Sequence, residues 1–112
     1  MTDSILTSIK KLLGITEEDT SFDPDIIMHI NSVFMILNQI GIGPSKGFRI
    51  EDDSTEWSEY ISEEDDLEAV KSYMHMKVKM LFDPPLSSAV MQAMTQSINE
   101  LEWRLNAGTI SN

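Results

Sequence analysis

The pair Pro84-Pro85, preceded by Asp83, constrains this chain more than any other feature. It interrupts the stretch LEAVKSYMHMKVKMLFDPPLSSAVMQAMTQSINELEWRLN, from Leu67 to Asn106, whose two halves each carry a helical pattern. Proline locks φ and has no N–H, so neither ring fits inside a helix. The residue before a proline is pushed out of the α region as well. The first helix therefore stops near Phe82. Pro85 is suited to open the next one, because a first turn needs no N–H donors. The expectation is a long antiparallel helix pair joined at Asp83-Pro84-Pro85. At about 100° per residue, Leu67, Val70, Met74, Val78 and Leu81 share one face of the first helix. Leu86, Val90, Met94, Ile98, Leu101 and Leu105 share one face of the second. The small Ala93 and Ser97 beside that stripe would let a neighbouring helix come close.

With 112 residues the chain has room for one domain and one hydrophobic core. The expected fold class is all-α: a single small domain, 1–112, of about five helices. The first runs from about Ser4 to Leu13, with Asp3 or Ser4 as cap, Gly14 in the left-handed position after it, and Ile5, Ile9, Leu12 and Leu13 facing inward. Lys10 and Lys11 suit its C-terminal end. An acidic loop follows and ends in a start signal, with Asp23 as N-cap and Pro24 at the first helical position. Helix two runs to Ile40, ahead of Gly41. Its stripe is Ile26, Ile30, Val33, Phe34 and Leu37, with Ile27 at the edge. The connection GIGPSKGFRIEDDS holds three of the five glycines and a short extended piece at Phe48–Ile50; a loop of this length is more often functional than idle. A short helix at 54–61 carries Trp57 and Tyr60 inward, with Asp53 and Glu56 at capping-box spacing. The acidic SEEDD opens the Leu67 helix, and the tail after Asn106 has no pattern and is expected to be mobile.

The balance of charge narrows the function. Nineteen acidic residues against eight basic ones give −11, which favours solubility and repels phosphate backbones and anionic membrane surfaces. The N-terminus has no long apolar stretch of secretory type, and no run reaches the roughly 20 apolar residues of a membrane span. Cysteine is absent, which removes disulfides and thiolate chemistry and fits a reducing compartment. His29 and His75 have no second histidine at ligand spacing, so no metal site and no cofactor is expected. No phosphate loop surrounds Gly41, Gly43 and Gly47, and no nucleophile elbow appears. Glu51, Asp52, Asp53 and Glu56 lack the calcium-loop spacing and read as a solvated acidic loop. The chain is not expected to be an enzyme.

The apolar surface is what asks for a function. Trp103 lies about 200° around its helix from Leu101, opposite the core stripe. Met76 and Ala69 fall outside the Leu67–Leu81 stripe, with Tyr73 and Met80 on its flank, and Met28, Met35 and Ile36 leave the stripe of helix two. Three helices thus carry second apolar faces. A domain this small has few elements to cover them, which points to self-association.

These residues carry a resemblance. The segment KVKMLFDPPLSSAVMQAMTQSINELEWRLN, preceded by MILNQIGIGPSKGFRIEDDSTEWSEY, is similar to the small head–tail connector proteins of long-tailed bacteriophages and prophages. Its most specific parts are Leu81–Pro85 and Glu100–Asn106, within a region from Val33 to Asn106 that spans about two-thirds of the chain. The resemblance implies a structural virion protein of the neck, made in the host cytoplasm. Such a subunit forms a ring, twelvefold in the virion, docks on the portal protein, extends the DNA channel and offers a platform to a stopper or tail-completion protein. DNA would pass through without specific binding, and no membrane is involved. Met28, Met35, Ile36, Met76, Met80 and Trp103 become candidates for the oligomer or portal interface. Glu51, Asp52, Asp53 and Glu56 become candidates for an acidic channel lining. The rival class is an acidic helical regulator or DNA mimic acting as monomer or dimer, although the carboxylates cluster in loops and helix starts rather than at phosphate-like spacing. A helical adaptor of another virion-assembly step is a third possibility.

Overall fold

The computed structural model describes residues 4–61 and 64–110, leaving aside the side chains of 64–66 and 108–110. Five helices follow in order: α1 (Ile5–Leu12), α2 (Asp23–Ile40), α3 (Trp57–Tyr60), α4 (Glu64–Phe82) and α5 (Ser88–Ile110). Among the described residues there is no strand, only an isolated bridge between Ser4 and Glu56. The all-α expectation holds. α2 and α4 form the central pair, α1 lies against both, and α5 packs mainly on α4.

Helix α1 begins where Ser4 Oγ accepts the Thr7 N–H at 3.2 Å, and ends at Leu13, followed by Gly14 at φ +82°. Its inner face is displaced from the expected one. Leu6 and Lys10 are buried, whereas Leu12 is exposed, because α1 must cover both α2 and α4 and buries a wide arc. The Lys10 ammonium is held by the Glu17 carbonyl at 3.1 Å and pairs with Asp23 Oδ1 at 2.9 Å. The second contact is off the hydrogen-bonding direction, so it is an ion pair rather than a bond. A buried charge needs partners of this kind.

That pairing also changes the start of α2. Asp23 is not the N-cap: the cap is Phe22, with no side-chain bond, and Asp23 and Pro24 both lie in the first turn. The carboxylate expected to cap the helix holds Lys10 instead. The stripe of α2 is as expected, with Ile26, Ile30, Val33, Phe34 and Leu37 all buried, and Gly41 ends the helix at φ +100°.

The 41–56 connection is built into the core. The Asn31 amide brackets Ile50, its Nδ2 donating to the Ile50 carbonyl at 2.9 Å and its Oδ1 accepting the Ile50 N–H at 2.8 Å. One side chain thus replaces the missing neighbouring strand, and Ile50 is 1% exposed. Phe34, Phe48 and Tyr60 pack against one another with centroids 4.6–5.1 Å apart. Gly43, at φ +84°, lies under the Tyr60 ring, so close that a Cβ would fall 2.5 Å from it. Trp57 and Tyr60 face inward as expected, and Trp57 Nε1 donates to Ser8 Oγ at 2.8 Å. The cap of α3 is Glu56 rather than Asp53, with Glu59 Oε2 reaching back to the Glu56 N–H at 2.8 Å.

Helix α4 stops at Phe82, and Asp83-Pro84-Pro85 opens a non-helical link that runs to Ser87. Pro85 does not open α5. The helix begins at Ser88, and Ser87 Oγ accepts the Val90 N–H at 3.4 Å. Val70, Met74 and Val78 are buried as expected, but Tyr73 is buried too and Leu81 is 52% exposed. On α5 only Ile98 and Leu105 of the expected stripe are buried; Met94 and Leu101 are half-buried, and Leu86 and Val90 are exposed, as are Ala93 and Ser97. Helix α5 continues through Ile110, past the Asn106 limit set by the pattern, while 111 and 112 lie outside the described residues.

Candidate assembly surfaces

Opposite its core stripe α2 carries an exposed face. Met28 and Met35 stand there, 58% and 65% exposed, about 200° and 180° around from Ile26. They form one wall of an open groove of about 660 Å³. The other wall is the 46–49 segment, which the Asn31–Ile50 bracket holds in place. Ile27 and Phe48 add apolar surface, and the exposed Lys46 and Arg49 also belong to the lining. Two of the chain's eight cations thus sit on one apolar groove, a juxtaposition that helical periodicity does not register because both lie in a loop.

Trp103 is 69% exposed on α5. Glu102, beside it, accepts the Tyr73 hydroxyl proton on Oε2 at 2.7 Å and ties α5 to α4. Burial and this carboxylate push the Tyr73 phenol well above its ordinary range. One turn before Trp103, Glu100 pairs with Arg104 at 2.6 Å. The six interface candidates therefore divide. Met28, Met35 and Trp103 project outward, whereas Ile36, Met76 and Met80 are half-buried against the core.

The acidic group divides as well. Glu51, Asp52 and Asp53 are exposed, but Glu56 is half-buried at the start of α3. Asp52 Oδ1 accepts from the Ser54 hydroxyl at 2.5 Å and from its N–H at 2.9 Å, which holds that carboxyl below the usual range. At the corner, Asp83 pairs with Lys79 at 2.8 Å, Pro84 is exposed and Pro85 half-buried.

A second apolar hollow, of about 510 Å³, lies between Leu13, Ile15, Phe22, His29, Leu81 and Phe82. Phe22 meets Phe82 edge to face there at 5.4 Å. Among the described residues no cluster of His, Asp and Glu is arranged to hold a metal, and no helix is long and apolar enough to cross a membrane.

A family model described as phage connector protein matches residues 5–110. The chain is a member of the phage connector protein family. The match takes in α1, which the resemblance from Val33 to Asn106 had left out, and so covers all five helices. No curated protein and no solved structure matches the connector.

Proposed function

We propose that this connector is a structural virion protein of the phage neck that forms a ring, docks on the portal, extends the DNA channel and carries the stopper or tail-completion protein. The observation that carries the proposal is the family match over 5–110. Two features of the subunit support it. Met28, Met35 and Trp103 leave large apolar side chains in solvent, as interaction surfaces do. A charge of −11 suits a channel wall past which DNA must slide without sticking. In the virion the ring is expected to be twelvefold, to match the portal beneath it.

A pull-down tests the role. The tagged connector is offered purified portal and stopper proteins from the same genome, with the host's DNA-binding enzymes as a control. Capture of portal and stopper is the expected result. Capture of a nucleic-acid enzyme alone would favour an acidic regulator and overturn the connector role.

A further inference from the structure

We propose that the groove between α2 and the 46–49 segment is the seat for Trp103 of a second copy of this chain. The inference rests on the ring reading and names the contact that builds the ring. The groove is open and about 660 Å³, room enough to lay an indole against its lining. Its floor suits that guest. Met28 and Met35 are flexible, polarizable side chains that mould to an aromatic ring, and Phe48 adds a second ring. Arg49 and Lys46 in the lining can lie over the indole face, the preferred partner of a cation.

Charge selects the partner. Copies of a chain with charge −11 repel one another, so they pair best where opposite signs meet. The groove presents Lys46 and Arg49. Trp103 is flanked on its helix by Glu100 and Glu102, with Arg104 paired to Glu100. Knob and groove are therefore complementary to each other and not to themselves. Groove on groove would place cations together, and knob on knob would place carboxylates together. The two patches also lie on different elements, Trp103 on α5 and the groove on α2 with its loop. Such a contact is heterologous: every copy offers a knob to one neighbour and a groove to the other, and it generates a ring when the rotation closes.

The test uses two variants that each remove one half of the contact. Trp103→Ala removes the knob, and Met35→Glu puts a charge in the groove. Both positions are exposed, so both variants should keep the wild-type circular dichroism. Each alone should self-associate about thirty-fold more weakly than wild type, the loss expected of an interface anchor. Mixed, they should form a one-to-one dimer and stop there, since one intact knob meets one intact groove. Either variant assembling alone like wild type would overturn the proposal, and so would a mixture that stays monomeric. Wild-type protein that stays monomeric up to its solubility limit would also overturn it, yet portal capture in the pull-down would leave the connector role standing. A Met35→Glu protein that self-associates normally but no longer binds portal would assign the groove to the portal instead. Should a variant misfold, cross-linking decides, because the chain has no cysteine of its own. A short bis-maleimide should join Met35→Cys protein to Glu100→Cys protein and neither to itself. Equal joining of like with like would contradict the heterologous pairing.

Discussion

Asn31 shows at the scale of one residue how a long loop becomes part of the core. Its two bonds satisfy both backbone groups of Ile50, and each such bond contributes about 1 kcal/mol net. Asn31→Ala should therefore lower stability by about 2 kcal/mol and speed hydrogen exchange of the Ile50 amide; an unchanged midpoint in urea would show that the bracket does not hold the loop. Sequence reading placed an extended piece at Phe48–Ile50 but no partner for it, because a polar side chain on the flank of α2 carries no periodic signal. Lys10 does lie in the last turn of α1, yet it is buried there. A lysine near a helix C-terminus ordinarily serves the dipole in water, and nothing local announces that Asp23 and the Glu17 carbonyl will close over it.

Among the elements, α2 was legible residue by residue, since its five-residue stripe meets partners along its length. Helix α5 was not. Its pattern was read as if α4 accompanied it throughout, but Tyr73 bonds Glu102 and α4 ends nine residues beyond Tyr73. Running back from Glu102 over the same length, α5 reaches only Ala93, so its first turns outrun α4 and leave Val90 in solvent, while Leu86 lies exposed in the link before the helix. Amphipathic period reports which face is apolar; it does not report whether the partner helix is long enough to cover it. Helix α4 ends at Phe82, directly before Asp83-Pro84-Pro85, and the prolines are proposed to stop it. Replacing Pro84 and Pro85 together with alanine frees the unfolded chain and should cost roughly 0.4–1 kcal/mol per site, a drop of several degrees in Tm. An unchanged Tm would mean that the link is set by Ser87 and the α4–α5 contact rather than by the rings.

For the whole molecule, sequence motifs reached the family and the all-helical fold, while the candidate surfaces depend on how the chain folds back on itself. Trp103, Met28 and Met35 were found by angle alone and do project outward; Ile36, Met76 and Met80 had equally suitable angles and are half-buried against the core. Lys46 and Arg49 entered only when the fold brought their loop onto α2. The acidic loop is proposed to rim the channel. Glu51 and Asp53 are its exposed members without the Ser54 bonds of Asp52 or the helix contact of Glu56. Glu51→Lys with Asp53→Lys should therefore leave the fold intact and make the assembled ring retain DNA at low salt, with binding lost as salt rises. A double variant that retains DNA no better than the parent would turn the loop away from the channel.

The mass of the connector with and without purified portal tests the central claim most directly. A subunit of 12.7 kDa that builds a ring on the portal should appear in one large complex holding one connector per portal subunit. Trp103→Ala protein should be missing from that complex. A connector that still runs at its subunit mass when portal is in excess would contradict the account.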